Sequence, residues 1–264
     1  MTDFPRNDLE TAMQLAADDP VARPDFFVAL LDARIYVIGD ANTDLPDGEF
    51  RILEGDTLSV ANFSFEDGQP YIPFFTSLEA LNEAVSGETK YLSIGTRELL
   101  DSTRGNFLVL NPGQDIAKEF TPEEITSLLD GTPISSNGEY KLDENATVQI
   151  GQPAEEPVEL IEALTRLFSR HSSVKRALLA QMLVEDKDKP LSLVIALDVD
   201  GNTDNLLRDL EIVVPDTAPA DRPVDIVFLG EANSLVDNYF QTSDVAPFYE
   251  RSWGQRLKGF FVRG

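Results

Sequence analysis

A chain of 264 residues with 47 acidic against 21 basic residues carries a formal net charge of −26, a field that repels nucleic acid and anionic membrane surfaces unless a local basic patch intervenes. A hydrophobic fraction of 42% with 16 Phe and 6 Tyr belongs to a folded protein, and the length suits two domains of about 130 residues. With no cysteine there are no disulfides, thiol chemistry or thiolate metal sites.

The opening residues, MTDFPRNDLETAMQ, lack a basic region followed by an apolar run, and no stretch approaches the length of a membrane span. A cytoplasmic location is therefore expected. Asn7 or Asp8 caps a predicted helix, LETAMQLAA, that stops at Asp18-Asp19-Pro20. A second helix, PDFFVALLD, places Pro24 and Asp25 in its first turn and leads into the strand ARIYVIGD. Between residues 39 and 69 the patches FRIL and LSVANFSF read as hairpin strands, with turns at Asp47-Gly48 and Asp67-Gly68. PYIPFFTS is a strand, followed by a helix from Leu78 to about Val85 that Ser77 can cap. YLSIGTRELLDST reads as strand and short helix, and FLVLNPG as a strand ended by Asn111-Pro112-Gly113. TPEEITSLLDG has Thr121, Pro122 and Glu124 placed for a capping box and a glycine stop.

The polar stretch 133–146, with its Asn137-Gly138 turn signal, marks a linker. The expected organisation is a first domain at 1–135, a linker at 136–146 and a second domain at 147–264. The second half opens with the strand TVQIG and the amphipathic helix VELIEALTRLFSR. It continues with the strand SVKRALLAQMLVED, the buried strand LSLVIALDVDG, and a helix in NTDNLLRDL capped by Asn202 or Thr203. The segment RPVDIVFLGEANSLVDNYFQTS reads as strand then helix. The fold class is α+β: two mixed α/β domains, each a small sheet with packed helices. The segments PYIPFFTSLEALNEAV and PVDIVFLGEANSLVDNYF share a strand–turn–helix plan, so the halves read as distant copies of one plan.

His171, the single histidine, is expected at the end of the helix from Val158, as a surface residue favoured by the helix dipole. One histidine without cysteine makes neither a zinc finger nor a three-histidine site. Asp198 and Asp200 are the candidates for a metal- or small-molecule-dependent enzyme. They end a buried strand, and period 2 places both carboxylates on one face, where Mg²⁺ or Ca²⁺ can be shared. The bland reading is a turn at Asp200-Gly201 with Asp198 at the last exposed strand position. No calcium-loop pattern, phosphate-binding glycine loop or nucleophile elbow is present, so no catalytic residue and no cofactor is assigned. The last fourteen residues carry Arg251, Arg256, Lys258 and Arg263 and no acid, interleaved with Trp253, Phe260 and Phe261. Trp253, Arg256, Lys258, Phe260 and Phe261 are the candidate interaction residues. Such a segment packs on the body, pairs with its acids, or docks on an acidic partner.

Several runs together resemble the enhanced serine sensitivity protein SseB family: Asn7-Asp8-Leu9-Glu10, RPDFFVALLDARIYVIG at 23–39, PYIPFFTSLEAL at 70–81, and FLVLNPGQDIAKEFTPEEI at 107–125 in the first half. In the second half they are IGQPAEEPVELIEALTRLFSRHSSVKRALLA at 150–180, the strand at 191–197, VDIVFL at 224–229 and PFY at 247–249. The resemblance implies an N-terminal and a C-terminal family domain, in that order. The family takes its name from a bacterial growth phenotype and brings no catalytic or ligand residues. The expectation is a non-enzymatic adaptor or regulatory protein with an unidentified protein partner and no nucleic-acid or membrane partner. A small-molecule ligand remains open, as does the oligomeric state.

Overall fold

Asn7 opens the first helix by accepting a hydrogen bond from the Glu10 backbone N–H, which satisfies one orphan donor of the first turn. The computed structural model describes residues 4–41, 58–131, 147–184, 191–230 and 235–251, and the chain divides into two units, Met1–Ile134 and Ser135–Gly264. The expected strand FRIL, the Asp47-Gly48 turn, the 136–146 linker, and Trp253, Arg256, Lys258, Phe260 and Phe261 lie outside the described residues.

In the first unit, helix α1 (Asp8–Asp18) buries Leu9, Glu10, Met13 and Ala16, and α2 (Arg23–Asp32) buries Phe26 and Leu30. The strands are β1 (Arg34–Ala41), β2 (Leu58–Val60), β3 (Phe63–Ser64), β4 (Pro70–Phe75), β5 (Tyr91–Gly95), β6 (Phe107–Leu110) and β7 (Lys118–Phe120). Helices α3 (Leu78–Ala84), α4 (Thr96–Ser102) and α5 (Pro122–Asp130) follow β4, β5 and β7. Tyr36 and Val37 pair with both neighbours, so β1 lies between β5 and β4, antiparallel to each. β4 runs parallel to β6, which pairs antiparallel with β7. Strand alternation gives one face Ile35, Val37, Ile72, Phe74, Leu108 and Leu110, and these form the main core with α1, α2, α4 and α5. Phe75 faces the other way and is sealed by Ala80 and Leu81 of α3.

The capping signals of α3 and α5 work as read. Thr121 and Glu124 form a reciprocal capping box on α5, Gly131 closes it at φ 63°, and Ser77 accepts from the Ala80 N–H of α3. β7 is an addition to the expected elements: three residues, KEF, are too few to show a period.

In the second unit, β8 (Val148–Gly151), α6 (Val158–Arg170), β9 (Val174–Val184), β10 (Ser192–Val199), α7 (Asp204–Thr217), β11 (Val224–Phe228), α8 (Leu235–Thr242) and β12 (Tyr249–Glu250) follow in order. The sheet runs β11-β10-β9, with β10 parallel to β11 and antiparallel to β9. The outer edge of β9 is shared: β8 pairs with residues 181–184 and β12 with 176–177. Between those registers the Gln152 side-chain amide donates to the Leu179 carbonyl at 2.9 Å, standing in for a strand donor. Residues 192–197 of β10 are all buried, as expected for a strand covered on both faces.

One expectation changes. The helix expected to end near Leu210 continues to Thr217, carrying Pro215 in its last turns. Leu206, Leu210, Val213 and Thr217 form a buried stripe at helical spacing, and that burial outweighs the hydrogen bond the proline removes. The likeness of PYIPFFTSLEALNEAV and PVDIVFLGEANSLVDNYF pairs β4, an interior strand, with β11, an edge strand. Both segments fold as strand then helix, β4-α3 and β11-α8, and the units share in addition the order helix, strand, antiparallel neighbour and parallel third strand, as α2-β1-β4-β6 and α6-β9-β10-β11.

Candidate functional site

Asp198 and Asp200 come together as their spacing requires, but around basic side chains of the neighbouring strand. Lys175 Nζ lies 2.6 Å from Asp200 Oδ1 and 3.4 Å from Asp198 Oδ1, and Arg176 Nε lies 3.2 Å from Asp198 Oδ2. The register places Asp198 opposite Arg176 and then slips before Val199, a bulge that brings both carboxylates to Lys175. The hydrogen bond that Lys175 donates to Asp200, with Asp198 adding charge attraction, holds the Lys175 ammonium above its ordinary pKa. Two acids and two cations are thus mutually neutralised. Among the described residues no group of three or more His, Cys, Asp or Glu is placed to hold a metal ion.

His171 departs from the surface residue expected. It is the C-cap of α6, but its ring turns inward and Nε2 lies 2.9 Å from Asp209 Oδ2 of α7, with both side chains about 15% exposed. The pairing of α6 with α7 buries the helix end, which helical periodicity alone does not reveal.

A third constellation, not assembled from the sequence, lies where the parallel strands β4 and β6 end. Glu10 is fully buried, and its carboxylate accepts from three donors: Thr76 Oγ1 at 2.7 Å, Ser77 Oγ at 3.0 Å and the Arg6 backbone N–H at 2.6 Å. Burying a polar group is costly unless donors of this kind satisfy its oxygens. Asn111, also fully buried, stands at φ 51°, an uncommon conformation that Asn tolerates better than most residues. Its amide oxygen accepts from the Thr76 N–H at 3.0 Å, and its amide nitrogen donates to Thr76 Oγ1 at 2.9 Å. Asn111, Thr76 and Glu10 therefore form one directed chain of hydrogen bonds. Asn7 joins by donating to the Thr76 carbonyl at 3.1 Å.

Arg6 lies across the outside of this cluster. Its Nη1 donates to Ser77 Oγ at 3.3 Å and stands 4.0 Å from Glu10 Oε1, while Nη2 donates to Glu83 at 3.0 and 3.1 Å. Gln114 also donates to Glu83, at 2.9 Å. Ser77 Oγ donates to Glu10 and accepts from both Ala80 N–H and Arg6, so its lone pairs are engaged in structure rather than poised for attack. The signal was present in three separate runs, Asn7–Glu10, Thr76-Ser77 and Asn111–Gln114, each read locally as a cap or a turn. Only the parallel pairing of β4 with β6 brings them together.

The N-terminal residues 9–127 match the SseB protein N-terminal domain, and residues 142–251 match the SseB protein C-terminal domain. The chain is similar to Protein SseB of Escherichia coli (strain K12) and to Protein SseB of Shigella flexneri, at 35% identity to each over 257 residues. That alignment covers 97% of this chain and 96% of each relative. No solved structure matches the chain. Among the described residues no helix is long and apolar enough to cross a membrane.

Proposed function

The chain belongs to the SseB family, and from that membership we propose that it works without catalysis, as an adaptor or regulatory protein that binds a protein partner in the cytoplasm. The observation that carries this reading is that, among the described residues, the clusters with chemical potential are engaged by their own neighbours, with Asp209 Oδ1 left buried and without a hydrogen-bond partner. Asp198 and Asp200 are held by Lys175 and Arg176, His171 by Asp209, and Glu10 by Thr76, Ser77 and Arg6. The partner half of the reading is supported by Trp253, Arg256, Lys258, Phe260 and Phe261, a cationic and aromatic segment on a polyanionic chain. The charge of the whole argues for a protein rather than nucleic acid or a membrane as the partner.

Affinity capture with the immobilised full chain is expected to retain a protein that binds saturably and is displaced by the soluble chain. Retention of small metabolites alone, or of nothing, overturns the reading. The alternative, an enzyme using a metal ion or small molecule at Asp198 and Asp200, requires a ligand to displace Lys175. Heat on titration with Mg²⁺, Mn²⁺ or Ca²⁺ that vanishes in the D198A/D200A double variant would favour it. A thermal-shift series of amino acids, including serine, tests for a small ligand, because binding to the native state must raise its apparent stability.

A further inference from the structure

We propose that the polar crevice at the ends of β4 and β6 is a guanidinium-binding site, which the chain fills with its own Arg6. In open sheets of parallel strands, ligands settle outside the carboxyl ends of neighbouring strands whose following chains diverge. β4 and β6 are such a pair: the chain leaves β4 into α3 but leaves β6 directly towards β7. The occupant of that position here is a guanidinium group, 12% exposed, held by groups from α1, from the junction of β4 and α3, and from α3 itself.

The receptor groups do not depend on the Arg6 side chain for their positions, and the Arg6 backbone N–H that Glu10 accepts stays when that side chain is removed. Ser77 is fixed by Ala80 N–H and Glu10, Glu83 by Gln114, and Glu10 by Thr76 and Ser77. Removal of the Arg6 side chain therefore leaves a preformed site with the buried Glu10 carboxylate behind it and the Glu83 carboxylate at its rim. Arg6 uses two nitrogens of one plane on two acceptors, Nη1 on Ser77 Oγ and Nη2 on both Glu83 oxygens. A single ammonium nitrogen offers no second coplanar donor, which makes guanidinium the ligand class. Arg6 precedes the N-cap of α1, so its side chain leaves the site by rotation about its own bonds without unwinding the helix. An attached side chain competes at an effective concentration in the millimolar range. A free guanidinium compound thus gains little in the native chain, and a trans ligand needs contacts of its own to win.

The test is thermal unfolding of the full chain and its Arg6→Ala variant in millimolar N-methylguanidinium, with methylammonium at equal ionic strength as control. The variant is expected to melt lower than the native chain and to recover with methylguanidinium only. The recovery should disappear in R6A/E83Q, and the native chain should not respond. A short arginine peptide added in place of methylguanidinium separates the two sources of the same chemistry. Half-recovery at lower concentration assigns the site to an arginine side chain of a polypeptide, and equal potency assigns it to a small molecule. A folded Arg6→Ala variant that responds alike to both cations overturns the proposal. If Arg6→Ala does not fold, Arg6→Lys keeps a cation beside Glu83. Methylguanidinium should then shift the amide resonances of Ser77, Glu83 and Gln114, and unmoved resonances overturn the proposal equally. None of these readouts involves a protein partner, so their failure leaves the adaptor reading standing.

Discussion

Asn111 bears two loads, a left-handed backbone and a buried amide that ties the end of β6 to the end of β4. Replacing it with alanine strands the Thr76 N–H without its partner, at about 1–3 kcal/mol, and forfeits asparagine's better tolerance of a left-handed backbone, at roughly 1 kcal/mol. Asn111→Ala should therefore lower stability by about 3 kcal/mol in urea unfolding, and Asn111→Gly should recover only the backbone share. A change for Asn111→Ala within about 0.5 kcal/mol would place the residue among ordinary surface substitutions and refute this account. Asp225 carries a different load. Burial in β11 raises its carboxyl pKa, with a hydrogen bond from Ser192 opposing the shift in part. The folded state then holds the proton more tightly than the unfolded state. The stability this residue contributes is full below the unfolded carboxyl value of about 3.9 and is lost as pH rises through the folded value. Asp225→Asn is expected to raise the unfolding midpoint at pH 7, with the gain shrinking as pH falls through that window. A gain that stays constant with pH would assign the effect to packing.

Gly39 in β1 shows how one position sets the pairing of an element. A Cβ there would collide with the Ser59 carbonyl oxygen, a backbone atom that cannot move without β2 moving. Gly39→Ala should loosen β2 from β1 while the pairing of β1 with β4 and β5 persists. Overpacking of this kind costs about 1–3 kcal/mol. Hydrogen exchange should quicken at Ala61, whose N–H donates to Ile38, before it quickens at Val37; equal quickening at both would refute the local account. The same scale shows what was legible in the sequence. Elements with an internal period or a cap were readable: α1 from Asn7, α5 from its capping box, β10 from its apolar run. β7 and β12, of three and two residues, owe their strand character to β6 and β9 and have no local signature. The end of α7 was hidden because Pro215 reads locally as a stop, whereas Val213 and Thr217 bury against the core. The polar crevice failed to show for a related reason. Glu10 reads as an exposed first-turn acid of a helix, and only the convergence of α1, β4 and β6 buries it.

The whole molecule sets a body of net charge −29 against a terminal segment, residues 252–264, that holds three positive charges, no acid, and Trp253, Phe260 and Phe261. The last described residue before it, Arg251, is built into the second unit: its N–H donates to the Lys175 carbonyl at 2.8 Å, and its guanidinium Nε donates to the Val174 carbonyl at 2.8 Å. Truncation after Arg251 therefore spares β12 and tests the segment alone. Full burial of a phenylalanine is worth about 1.5–3 kcal/mol, and attraction between the segment and the acidic body adds to it until salt screens it within about 8 Å. If the segment serves the body, truncation lowers the thermal midpoint or changes the oligomeric state seen by sedimentation, and the loss is smaller in high salt. If it serves a partner, the midpoint and the oligomeric state hold while a captured protein is no longer retained. The first outcome is expected, because attraction within one chain acts at a far higher effective concentration than attraction to a separate protein. A truncated chain unchanged in stability, assembly and capture would remove residues 252–264 from both roles.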